Sequence, residues 1–113
     1  MNIRILTPVV CAFLLVSANA FAAASKVTIS SPANGAKVSK DSSVELSYEA
    51  VPGPDGDHLH LYLDGKRIDV LHPMKGKADV GMLDPGKHQI CLTVNTSGHV
   101  PTGAEACIDV TSK

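Results

Sequence analysis

The sequence predicts an all-β fold, an immunoglobulin-like antiparallel β-sandwich of seven to eight strands. Three observations point there. No segment after residue 26 has a helical hydrophobic period. Short runs alternate apolar with polar residues instead, and Gly, Pro, Asn and Asp punctuate them at short intervals. Val27 and Ile29 flank Thr28 in a strand over 26–30, Ser31-Pro32-Ala33-Asn34-Gly35 turns the chain, and 36–39 adds a short piece. Val44, Leu46 and Tyr48 alternate with Glu45, Ser47 and Glu49 over 43–50, and Pro52-Gly53-Pro54-Asp55-Gly56 is a long turn. Leu59, Leu61 and Leu63 alternate with His58, His60 and Tyr62 over 58–63. Asp64-Gly65 is a hairpin signal that returns the chain through Ile68 and Val70 over 66–71. Ala78, Val80 and Met82 make a weaker strand over 77–83, followed by the turn Asp84-Pro85-Gly86. Ile90, Leu92 and Val94 define 87–94, and Ala104, Ala106, Ile108 and Val110 define 104–111.

The first 22 residues have a different character and read as an export signal. Arg4 is a short basic start, Ile5 to Val16 is mostly apolar but too short to span a bilayer comfortably, and Ala18-Asn19-Ala20 and Ala20-Phe21-Ala22 are both small-x-small cleavage sites. The expected organisation is therefore 1–22 signal and 23–113 one domain, periplasmic or secreted. Removing Arg4 leaves nine basic residues against eleven acidic ones, a net charge of −2. No basic run exists, which argues against nucleic acid and anionic membrane surfaces. No second apolar stretch is long enough to cross a membrane.

Cys11 goes with the signal, so the mature chain keeps Cys91 and Cys107. Suppose that they oppose each other on antiparallel strands. Ile90 then faces Ile108, Leu92 faces Ala106 and Val94 faces Ala104, apolar on both sides. A slip by one residue would bring Glu105 and Asp109 to the core face. The bridge would lie on the outer face, at a non-hydrogen-bonded pair. It reads first as a structural staple contributing ~3 kcal/mol by the loop-closure entropy argument. A labile redox disulfide and a pair of thiolate metal ligands are the alternatives, although the Cys-x-x-Cys spacing typical of both is missing.

Five histidines is a high count for so small a domain. The proposed topology gathers four of them. His58 and His60 share the face opposite the leucines and are expected to point outward into solvent. His99 falls at the tip of the loop between the last two strands, and His72 and Met74 lie in the connection after 66–71 at the same end. His-x-His with a third imidazole and a thioether is a ligand set suited to copper or zinc. Solvated polar side chains, or a His60 packed over the disulfide and bonded to Asp57, Asn95 or loop carbonyls, are the competing readings. His88 lies at the opposite end and reads as a structural, half-buried ring with a backbone partner. Asp55 and Asp57 bracket a turn with too few acidic ligands for calcium. No phosphate loop, nucleophile elbow or His-Glu-x-x-His motif is present, and Ser97-Gly98-His99 has no orienting carboxylate. No enzyme is expected. Two Phe and two Tyr provide no aromatic platform for sugars or bases.

Three segments carry a resemblance: Gly56-Asp57-His58-Leu59-His60-Leu61-Tyr62-Leu63-Asp64, Asp84-Pro85-Gly86-Lys87-His88-Gln89-Ile90 and Gly98-His99-Val100-Pro101. Together they resemble a family of small exported bacterial immunoglobulin-like domains of unknown function. The opening Ser31-Pro32-Ala33-Asn34-Gly35-Ala36-Lys37-Val38 is similar to the start of that family and of many surface sandwiches. The resemblance implies a sandwich fold and marks His58, His60, His88 and His99 as recurring positions. It implies no activity. That family's strand often reads Gly-His-His-His where this chain has Gly-Asp-His-Leu-His, one histidine fewer. The expectation is a monomeric exported binding module with copper or zinc held by His58, His60 and His99, completed by His72 or Met74. The alternative is a metal-free structural or interaction domain of the cell envelope, with its partner unspecified.

Overall fold

The computed structural model describes residues 24–113, so the expected signal at 1–22 lies outside the described residues. These residues form eight strands and no helix: β1 (Lys26–Ser31), β2 (Ala36–Val38), β3 (Val44–Val51), β4 (His58–Leu63), β5 (Lys66–Leu71), β6 (Lys75–Gly81), β7 (Gly86–Asn95) and β8 (Pro101–Ser112). They pack as a three-stranded sheet, β1-β3-β6, against a five-stranded one, β2-β8-β7-β4-β5. Strand β5 pairs with β4 throughout, and only β2 runs parallel to its neighbour, β8. No helix of the described residues is long and apolar enough to cross a membrane.

Alternation built this fold as the sequence predicts. Leu46, Leu59, Leu61, Ile90, Leu92, Val94 and Val110 are fully buried between the sheets. Cys91 and Cys107 are bonded, in direct register, with Cα atoms 4.1 Å apart. That separation suits the close, non-hydrogen-bonded kind of pair. Ile90 faces Ile108 and Leu92 faces Ala106. The expected pairing of Val94 with Ala104 does not form. The register shifts after Thr93, and the next aligned pair is Asn95 with Pro101. Strand β8 thus carries two more residues than β7 in this stretch, taken up at Gly103, whose φ of 102° is open to glycine. Such a bulge bends the strand and re-aims the loop beyond it.

At the end of the sandwich away from that loop, the β4–β5 turn is locked to β7. Asp64 and Gly65 both have positive φ, 51° and 82°, as a two-residue type I′ hairpin requires. The Asp64 carboxylate accepts from His88 Nδ1 at 2.6 Å and from the Gln89 amide at 2.8 Å, while His88 Nε2 donates to the Asp84 carbonyl at 2.7 Å. His88 has the backbone partner expected of it and a carboxylate besides. Both of its ring nitrogens face acceptors, so the imidazolium is the form that satisfies both. The Asp64 hydrogen bond, and then the Asp84 carbonyl, hold the His88 pKa above its ordinary value; the His88 and Gln89 hydrogen bonds hold Asp64 below its own.

This clamp contributes fully between the ordinary carboxylate and imidazole values, 3.8 and 6.5. Its His88 share is lost as pH rises through the raised folded value. Its Asp64 share is lost as pH falls through the lowered one. Asp64→Asn is therefore expected to lower the melting temperature most near pH 5.5 and much less at pH 9. An equal gap at both pH values would mean that His88 carries no charge in the fold.

Candidate metal centre

Strand β4 puts Leu59 and Leu61 into the core and His58, His60 and Tyr62 on the opposite face, as its period of two demands. The expectation that His58 and His60 stand in solvent is corrected: each is only 2% exposed. Their direction is outward, but the face is covered. Strand β4 is an inner strand, with β5 on one side and β7 on the other. Its His58 and His60 lie beside Asn95 and Thr93 of β7. The loop after β7 then brings His99 back over them.

That loop is held by its own backbone. Thr96 N donates to the Val100 carbonyl at 2.8 Å, and His99 N to the Thr96 carbonyl at 2.9 Å. Buried Thr93 donates from Oγ1 to Asn95 Oδ1 at 2.6 Å, and Asn95 Nδ2 lies 3.5 Å from the His99 carbonyl. His99 itself has φ of 63°, the left-handed region that only a minority of non-glycine residues adopt.

Three imidazoles meet as a result. His58 Nε2 lies 2.9 Å from His60 Nε2 and 3.1 Å from His99 Nδ1, and His60 Nε2 lies 3.2 Å from His99 Nδ1. A tetrahedral zinc ion with bonds of about 2.0–2.1 Å needs its nitrogens about 3.3–3.4 Å apart. The triangle is within a few tenths of an ångström of that. The surrounding hydrogen bonds orient the rings. His58 Nδ1–H donates to the Asp57 carboxylate at 2.9 Å, which leaves Nε2 as a bare lone pair. His60 Nδ1 lies 3.3 Å from the Tyr62 hydroxyl. Between two ring nitrogens a hydrogen bond needs a proton on one of them. A cation at their common focus needs none and satisfies all three. Burial first, then the neighbouring His58, Arg67 and His99, hold the His60 pKa below its ordinary value, which favours the neutral, ligating form.

The other expected ligands fare differently. The exposed His72 ring has its centroid 5.9 Å from that of His58, at the rim of the cluster. Met74 turns inward and packs on the apolar core, because alternation from Ala78 and Val80 places 74 on the same inner face. Asp57 bonds His58, not His60. Tyr62 is not among the expected site residues, although its alternation with the leucines puts it on the face of His58 and His60.

His99 separates stability from binding. Left-handed backbone at a non-glycine residue costs on the order of 1 kcal/mol. His99→Gly is expected to melt no lower than wild type without metal, while losing metal affinity. A lower melting temperature would show that the His99 ring holds the loop by packing alone.

Comparison with known proteins supports the architecture. No protein-family profile matches the chain. No curated protein matches it either. Among solved structures, the fibronectin(III)-like modules of Clostridium thermocellum CbhA superpose with a TM-score of 0.66 at 13% identity, over 80% of this chain and 47% of that one. An FMN-binding beta-glucuronidase from Facaelibacterium prausnitzii L2-6 gives 0.56 at 19% identity, over 79% of this chain and 12% of that one. A Jonesia denitrificans lytic polysaccharide monooxygenase gives 0.48 at 18% identity, over 73% and 60%. The chain thus spans about half or less of the length of the first two. The first two likenesses are of fold. The chain is a β-sandwich like the fibronectin(III) modules, with an immunoglobulin-like strand order. It carries a largely buried three-histidine cluster able to hold a metal ion.

Proposed function

We propose that the protein is an exported binding module that captures one transition-metal ion, copper or zinc, at His58, His60 and His99. It works as a monomer and catalyses nothing. The observation that carries this reading is the convergence of three ring nitrogens within 3.2 Å of one another, two of them on buried rings. A three-imidazole set suits zinc and copper and discriminates against magnesium and calcium, which prefer oxygen. Asp57 acts as the carboxylate behind His58, the arrangement that fixes tautomer and raises ligand basicity. His72 stands at the rim as the fourth ligand or leaves that position to water. The disulfide supports a place outside the cytoplasm. The resemblance to exported domains agrees; three of its four recurring histidines form this site, and the fourth, His88, belongs to the clamp.

Calorimetric titration tests the reading. One equivalent of zinc or copper(II) should bind tighter than micromolar, about −8 kcal/mol. Affinity should fall between pH 7.5 and 5.5, because protons compete for imidazoles whose unperturbed pKa is about 6.5. Binding weaker than micromolar, or indifferent to pH over that range, would remove the assignment.

A further inference from the structure

We propose that Cys91, Cys107 and Glu105 form a second, redox-gated site, which takes a thiophilic cation of the Cu(I), Zn(II) or Cd(II) class once the disulfide is reduced. This site does not depend on the histidine reading. One ligand atom from each of the three residues lies within 4.8 Å of the others. Glu105 Oε1 sits 3.2 Å from Cys107 Sγ. A disulfide sulfur has no proton to donate, so no hydrogen bond accounts for the carboxylate's place there. The two cysteines oppose each other directly, both facing away from the core. Two thiolates sharing a metal at about 2.3 Å need sulfurs about 3.8 Å apart. Opposed side chains on neighbouring strands supply that spacing after small rotamer changes.

Two further features distinguish this bridge from a sealed staple. Cys107 is exposed, and a surface depression of about 320 Å³ lined by Tyr62, Gln89, Cys91, Thr93 and Glu105 opens beside the bridge. Exposed disulfides are the ones that exchange. The β7–β8 pairing also has a support besides the bridge: Ile90 and Leu92 on one strand and Ile108 and Val110 on the other are buried on its opposite face.

The chemistry balances with a protein dithiol of the thiol–disulfide exchange class as reductant. Its thiolate attacks Cys107 Sγ, the Sγ–Sγ bond breaks, and Cys91 leaves as thiolate. The reductant's second thiol resolves the mixed disulfide. Two electrons and two protons pass to Cys91 and Cys107, and the reductant leaves oxidised. The cation, monovalent Cu(I) or divalent Zn(II) or Cd(II), then binds both sulfurs as thiolates, and the two thiol protons pass to solvent.

The test uses the signal-free protein, reduced with a phosphine that is then removed, and titrated with cadmium without oxygen. The reduced protein should bind one more equivalent than the oxidised protein, with a thiolate-to-cadmium charge-transfer band in the ultraviolet. Cys91→Ser should abolish the band. Glu105→Gln should weaken cadmium binding several-fold at unchanged thiol count. The His58→Ala/His60→Ala double variant should keep the band. No band in reduced protein that retains its strand circular dichroism would overturn the proposal, and so would loss of that signature on reduction. Failure of the histidine site has a separate signature: oxidised protein that binds no cation while the reduced protein still shows the band.

Discussion

Replacing His60 with alanine is expected to lower the melting temperature of the metal-free protein by roughly 10 °C and to abolish its stabilisation by zinc. The ring is 2% exposed, so its removal leaves a void under the β7–β8 loop. It also takes a partner from His58 Nε2 at 2.9 Å and from the Tyr62 hydroxyl at 3.3 Å. A void plus two lost polar contacts costs about 2 kcal/mol. Each kcal/mol shifts a domain of this size by about 4–8 °C. Zinc at a hundred times its dissociation constant should add about 2.7 kcal/mol to wild type and nothing to the variant. Paired melts with and without zinc read both effects. A variant that melts like wild type would return His60 to solvent; one that zinc still stabilises would place the ligands elsewhere.

Leu92→Ala is expected to be the most damaging single core change. Leu92 is fully buried on the inner strand β7, aligned with Leu61 on β4 and Ala106 on β8. Ala106, with only a methyl group, cannot fill the space. The cost should fall in the upper part of the leucine-to-alanine range, about 4 kcal/mol. A domain of about ninety residues has roughly 5–13 kcal/mol in total. The urea midpoint should drop by a third or more with an unchanged slope. Met82→Ala is the contrast: Met82 is 67% exposed, and its removal should stay within about 0.5 kcal/mol. A Leu92→Ala loss as small as that would mean the two sheets close readily over the gap.

Parity made most of this architecture legible. Leu59 and Leu61 against His58 and His60 gave β4 its faces, and the cysteine pair gave β7 and β8 their register as far as Thr93. Parity says which way a side chain points but not what covers it. The burial of His58 and His60 depends on a loop returning over the sheet, which has no periodic signature. The register shift after Thr93 was hidden for a related reason: alternating Ala104 and Ala106 look continuous, although Gly103 beside them marks the bulge. The place of Met74 in a connection groups it with the histidines, whereas in the fold it begins the inner-facing series that runs through Ala78 and Val80. The Asp64–His88 pair joins residues 24 apart, a distance at which only the folded β4–β7 pairing makes them neighbours.

The histidine cluster draws one ring from position 99 and another from position 58, 41 residues earlier. In an extended polypeptide those rings are tens of ångströms apart, and no trident exists for an ion to occupy. A precursor threaded through a translocation channel would therefore cross empty. Under the proposed export, an ion held at this site would be drawn from whatever surrounds the finished sandwich, not from the stores of the cell interior.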